Sequence, residues 1–130
     1  AMNSALAESS FDKSKPTHLN THGTSTSLND KMETKAIKLV YGENPKNLAI
    51  SSIKSMLGHT LGAAGAIEFV SCCLTLQNNI VPPTINYEYP DPECDLDYTP
   101  NRVREFNAQA CLSNSLGFGG HNASLLIQKT

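Results

Sequence analysis

Apolar positions along the chain change their period several times, and each change marks an element. Met32, Ala36, Ile37 and Val40 recur at helical spacing, which predicts a helix over Asp30–Val40, capped by Asn29 or Asp30 and stopped by Gly42. A turn over Glu43–Asn47 then precedes Leu48–Ile53, a short apolar run that reads as a strand leading straight into a loop around His59. Earlier, Ala1–Ser10 has the composition of a helix end, and Ser9–Pro16 is a polar loop. Thr17–Asn20 reads as a strand entering a loop around His22. Gly62–Asn78 is apolar on most of its circumference, the pattern of a buried helix. Pro82, Pro83, Pro90, Pro92 and Pro100 make Val81–Asn101 an irregular connection. Ala108–Ser115 and Ala123–Gln128 read as two strands joined by a Gly117–Asn122 loop. Alternating helices and strands predict an α/β fold. Three loops, around His22, His59 and Phe118, each come after a strand, and strand ends are where ligand sites assemble in such folds.

Composition adds boundaries more than content. A chain of 130 residues suffices for one small domain that buries roughly two-thirds of its unfolded surface, so residues 1–130 are read as one domain. A charged fraction of 17% and a net charge of −2 carry no basic surplus of the kind nucleic acid would attract. The longest apolar stretch, Leu61 to Leu76, is interrupted by Glu68 and lacks the length and flanks of a membrane span. The first residues lack a basic-then-apolar targeting pattern. Cys72, Cys73, Cys94 and Cys111 have spacings that fit neither a disulfide framework nor a zinc site. The expected setting is a reducing cytoplasm, or the stroma of a plastid or other organelle.

Several motifs lead to bland readings. Gly58, Gly62 and Gly65 lack the Gly-Lys-Ser/Thr ending of a nucleotide-binding loop, and are expected to permit close helix packing. The acidic run Asp91, Glu93, Asp95, Asp97 has Leu96 and Arg102 where a calcium loop needs Gly and Glu, so it is read as a solvated loop. Asn122-Ala123-Ser124 fits a glycosylation acceptor by chance. Cys72, Cys73 and Cys111 lie among apolar neighbours, where thiols are inert packing.

Against that background two histidines stand out, His22 in His22-Gly23-Thr24 and His59 in Gly58-His59-Thr60. Each is flanked by glycine on a loop, where a side chain is exposed while the scaffold fixes its position. Neutral imidazoles donate one hydrogen bond and accept another, so two of them can grip one oxygen or shuttle one proton. Glu68 is costly to bury alone and would need a cationic partner such as Lys54; otherwise it is a solvent-facing helix residue.

Three segments in register carry a resemblance: His22-Gly23-Thr24-Ser25-Thr26, Lys54-Ser55-Met56-Leu57-Gly58-His59, and Asn114-Ser115-Leu116-Gly117-Phe118-Gly119-Gly120-His121-Asn122. They resemble the C-terminal half of β-ketoacyl-[acyl-carrier-protein] synthases over nearly all of the chain. Ile80 to Asn86 and Pro90 to Tyr98 look like the type II synthase in particular. The resemblance implies the C-terminal half of a thiolase-like fold, αβαβα when complete, with a mixed sheet and a buried central helix. It also implies that the 130 residues are truncated at the N-terminal side of that fold.

The same resemblance implies an activity and a set of roles. The family condenses an enzyme-bound acyl chain with malonyl-carrier protein, releasing carbon dioxide. His22 and His59 occupy the positions of the two catalytic histidines, and Lys54 that of the active-site lysine. Glu68 matches a buried supporting glutamate. Phe118 matches the gating phenylalanine, whose N–H belongs to the oxyanion hole. Thr24 and Thr26 match threonines that hold the phosphopantetheine arm. No permanently bound cofactor and no metal are implied; substrates arrive on the 4′-phosphopantetheine of acyl carrier protein, and the complete enzyme is expected to be a homodimer, with no nucleic acid or membrane partner. The family's nucleophilic cysteine lies in the N-terminal half, so this chain alone is expected to be inactive. Thr21, Ser27 and Leu116 depart from the family's usual alanine, proline and phenylalanine. The alternatives are a non-catalytic module that binds pantetheine or carrier protein, a subunit of a split condensing enzyme, and a polyketide ketosynthase fragment, against which the Pro82 to Tyr98 stretch argues. For chemistry, the positive end of the helix after His59, with Lys54 nearby, is expected to keep that ring a neutral donor.

Overall fold

The computed structural model describes residues 1–129. Its core is a four-stranded sheet built from β1 (Thr17–Asn20), β2 (Leu48–Ser51), β5 (Ala110–Leu116) and β6 (Asn122–Gln128), in the order β2-β1-β5-β6. β1 lies parallel to both β2 and β5, with Thr17 opposite Leu48 and Ala110; β6 returns antiparallel to β5 across the Phe118 turn. The sheet is therefore mixed. A separate antiparallel pair, β3 (Ile80–Val81) with β4 (Arg104–Glu105), brackets the proline-rich segment. That pair was not expected from the sequence, because two-residue strands are too short to show a period.

Helices cover the sheet on both sides. On one side α1 (Met2–Ser9) and α2 (Ser27–Tyr41) bury Met2, Leu6, Ile37 and Val40 against Leu19, Leu48, Ile50 and Leu112. On the other lies α4 (Ala64–Asn78), entered through a 3₁₀ turn at Leu61–Ala63, with Cys72 and Leu76 against Ala108 and Cys111. The alternation of strand side chains sorts the two sides: Leu19, Ile50 and Leu112 face α2, whereas His18, Ser51 and Cys111 face the other way.

Several features differ from the sequence reading. α2 begins at Ser27, not Asp30, because Asp30 N–H already donates to Thr26 O at 3.0 Å; neither Asn29 nor Asp30 caps it, and Thr26 stands at the cap position with no side-chain bond to the helix's own N–H groups. The extra turn is solvent-facing, with Leu28 exposed, so apolar spacing gave no sign of it. β2 stops at Ser51, because Ser52 N–H donates to Thr84 Oγ1 and Ile53 already has helical dihedrals. The next element is a one-turn helix, α3 (Lys54–Leu57), rather than a direct loop to His59. Finally, α4 buries Ala64, Glu68, Cys72, Thr75 and Leu76 but exposes Leu61, Phe69, Val70 and Leu74. Its apolar circumference is covered along one stripe only.

The glycines around α4 are not tightly packed within the chain. Gly62 has open space where a Cβ would stand, and only Ser115 approaches Gly65. The acidic run is tied down by cations: Glu93 pairs with Lys31, Asp95 with Lys38 at 2.7 Å, and Asp97 with Arg104 at 2.6 Å. Among the described residues no helix is long and apolar enough to cross a membrane.

Candidate active site

Because β2, β1 and β5 run the same way, their C-terminal ends share one edge of the sheet. The His22 loop, the Ser52–His59 segment and the Phe118 turn all leave from that edge. The first loop continues the ladder for one residue, Thr21 N–H donating to Ser51 O at 2.9 Å, and then turns at Gly23. Gly23 has φ 43, and a Cβ there would lie 2.6 Å from Ser52 Cβ. Glycine is required at that position: it lets two backbones approach while Ser52 Oγ donates to Gly23 O at 3.1 Å.

Glu33 fixes the same loop from the side. Its carboxylate accepts from His22 N–H at 2.9 Å, Gly23 N–H at 3.0 Å and the Asn114 amide at 3.1 Å. One buried side chain of α2 thus holds the β1 loop to β5. Burial raises the Glu33 pKa, against the opposing effect of those three donors. The sequence reading missed this residue. The signal was present, since Glu33 falls in step with Ile37 and Val40 on the buried face of α2.

The two imidazoles meet edge to face, with ring centroids 5.5 Å apart and planes at 86°. His59 Nδ1 accepts the Leu61 N–H at 3.1 Å. The accepting nitrogen carries no proton, which leaves Nε2 as the donor. The His22 pKa falls to about 4, first through burial and then through the positive charge of Lys54 and the neighbouring His59. At neutral pH that ring is uncharged. Its Nδ1 is buried with no protein partner.

Lys54 opens α3 and is buried, as is Glu68 from α4, and the two form an ion pair. Glu68 Oε2 has no further partner. The pair joins the two segments that flank His59. Thr24 and Thr26 share a hydroxyl hydrogen bond of 3.1 Å and line, with Glu33, Lys54 and His59, an open cleft of about 730 Å³. Phe118 stands at the same rim on a 3₁₀ turn, fully exposed and outside the lining of that cleft.

Cys111 and Cys94 are poor nucleophiles in this setting. The Cys72 thiol and burial push the Cys111 thiol well up, and burial raises Cys94. Cys72 and Cys111 are not simple apolar packing, however: both meet the buried His18. His18 itself falls to about pKa 4 through burial.

The chain is similar to known proteins. The family model "Beta-ketoacyl synthase, C-terminal domain" matches residues 1–88. The chain belongs to the β-ketoacyl synthase family. The chain is 50% identical over 125 residues to 3-oxoacyl-[acyl-carrier-protein] synthase 2 of Synechocystis sp., covering 96% of this chain and 30% of that protein. It is 46% identical over 129 residues to nodulation protein E of a Rhizobium species, covering 99% and 32%. This β-ketoacyl synthase chain therefore spans about a third of the length of the curated relatives it matches. Among solved structures, the ishigamide ketosynthase/chain length factor superposes with TM-score 0.94 at 38% identity, covering 99% of this chain and 32% of that one. A type II polyketide ketosynthase in complex with its acyl-carrier protein gives TM-score 0.94 at 41% identity, with the same coverage. The α/β fold with its mixed sheet is that of the C-terminal half of these thiolase-like enzymes.

Proposed function

We propose that the chain supplies the histidine half of a condensing site that joins an enzyme-bound acyl group to malonyl-carrier protein, as in a type II β-ketoacyl synthase. The observation that carries this reading is the meeting of His22 and His59 at 5.5 Å, one ring neutral and the other with its Nε2 left to donate. Loss of carbon dioxide breaks the bond between the malonyl carboxyl and its α-carbon. The electron pair left behind delocalises onto the thioester oxygen. Two imidazole N–H donors aimed at that oxygen stabilise it, each by about 3 kcal/mol. The carbanion then attacks the acyl thioester and expels a cysteine thiolate that belongs to the rest of the fold. The Phe118 N–H is a donor for the oxyanion of that second step.

The remaining roles belong to the same proposal. The Thr24 and Thr26 hydroxyls in the cleft hold the phosphopantetheine arm, so the partner is acyl carrier protein loaded with acyl or malonyl groups. The Lys54–Glu68 pair holds charge near the rings, with Lys54 at the wall of the cleft. The exposed stripe of α4 seats the other half of the fold, and the complete enzyme is a cytoplasmic or stromal homodimer without a permanent cofactor.

The test uses the full-length protein and separate assays of the two steps. His22→Ala and His59→Ala are each expected to slow malonyl decarboxylation by about 10²–10³-fold while acyl transfer suffers less. The double variant should be far less than multiplicatively worse, because the rings act as a unit. Near-normal decarboxylation in both single variants would leave the non-catalytic carrier-binding module as the better reading. A polyketide ketosynthase is favoured by one observation, the likeness to the ketosynthase of a type II polyketide system. Preference for a β-keto over a saturated acyl thioester would decide for it.

A further inference from the structure

Beneath the rim, on the side of the sheet that faces α4, three soft donors converge. His18 on β1 and Cys111 on β5 are directly opposed in the parallel ladder, and Cys72 comes down on them from α4. One donor atom from each lies within 4.8 Å of the other two, and Cys111 Sγ is 3.5 Å from His18 Nδ1. All three residues have no exposed surface. The other ring nitrogen, Nε2, lies 3.0 Å from Ser51 Oγ. When Nε2–H donates to that hydroxyl, Nδ1 is left unprotonated toward the Cys111 thiol, which is the arrangement in which a histidine ligates and its outer nitrogen orients the ring. Apolar Leu76, Ala108, Phe106 and Ile127 pack around the cluster.

We propose that His18, Cys72 and Cys111 form a closed, three-coordinate site for a thiophilic monovalent cation of the Cu(I) class. Sulfur and nitrogen donors held about 2.0–2.3 Å from one ion in a trigonal plane lie about 4 Å apart, so the present spacing needs a shift of less than about an ångström. Two sulfurs and an imidazole select Cu(I) or zinc among available ions. Zinc in a closed structural site takes a fourth side-chain ligand, and among the described residues no further His, Cys, Asp or Glu joins these three. A monovalent ion that displaces one thiol proton to solvent also leaves the buried site neutral. The ion would tie together β1, β5 and α4, the elements that carry His22, the Phe118 turn and Glu68. It is separate from the condensing site, whose rings it does not touch.

The experiment is an anaerobic titration of the full-length, metal-free protein with Cu(I) against a chromophoric chelator, allowed to reach equilibrium because the site is sealed. One tightly held equivalent is expected, with two sulfur donors and one nitrogen by X-ray absorption, and a raised thermal midpoint in the loaded protein. Cys72→Ala and Cys111→Ala should each weaken it by about 100-fold or more, and His18→Phe by about 10-fold or more, whereas Cys73→Ala should leave it unchanged. Circular dichroism and thermal melts of the metal-free variants identify any that fail to fold; Cys72→Ser and Cys111→Ser then take the place of the alanine variants. The proposal is overturned if no equivalent outcompetes the chelator, if binding follows Cys73 or Cys94 instead, or if zinc binds more tightly than Cu(I) at the same three residues. Decarboxylation is read in parallel, so failure of the metal site leaves the condensing reading untouched.

Discussion

Leu19 and His18 are neighbours on β1, both are fully buried, and they face opposite sides of the sheet. On the Leu19 side, Ile50, Leu112, Ile37 and Val40 form an apolar core. On the His18 side, Ser51, Cys111 and Cys72 form a hydrogen-bonded cluster, and Lys54 pairs with Glu68 nearby toward the rim. The apolar side contributes burial that is non-directional and insensitive to charge. The polar side contributes direction: each group is held where its partner requires it, and each is costly if the partner is lost. The candidate site grows from the edge where that polar side meets the loops.

The largest expected effect lies on the polar side. Lys54→Met leaves Glu68 buried and uncompensated, and should destabilise the full-length protein by about 3–5 kcal/mol in urea unfolding. Adding Glu68→Leu should restore much of that loss; a single variant as stable as the parent would break the contrast. On the apolar side, Leu112→Ala should cost about 2–5 kcal/mol by leaving a cavity. That cost should be the same at pH 5 and pH 8, and a pH-dependent cost would contradict the assignment of the two sides.

A smaller effect separates the causes acting on His22. Its titration, followed by NMR, should have a midpoint near 4 in the parent. Lys54→Met should raise it, but not to the ordinary value of about 6.5, because burial is the larger cause. The lowered pKa also sets the sign of the effect on stability. The unfolded chain takes up this proton first as pH falls, so the contribution of the neutral ring is complete above about 6.5 and is lost on the way down to 4. An unchanged midpoint in the variant would remove Lys54 from the electrostatics of the ring. The smallest effect belongs to the surface. Lys38→Ala removes contacts with the exposed Asp95 and Glu43, and should leave the thermal midpoint within measurement error.

The candidate site is legible in the sequence because its motifs are local. Gly23 beside His22, Lys54 five residues before His59, and Phe118 among glycines are each contained in a few consecutive residues. Strand and helix alternation alone puts the loops on strand ends. Boundaries were less legible where the added turn carried no apolar stripe, as at Ser27, or where a side-chain partner came from far away, as Thr84 does for Ser52.

The sequence by itself determined the alternation of elements, the family, and the loops that carry the histidines, since periodicity and short motifs depend only on neighbours along the chain. Only the tertiary structure decided which distant groups meet. Glu33 reaches the His22 loop across eleven residues, counted by sequence separation, and Asn114 across 81 to Glu33. Cys111 finds His18 across 93. Those meetings are set by strand order and by the face each residue takes in the pleat, and a parallel register between β1 and β5 is a property of the folded sheet that neither strand contains alone.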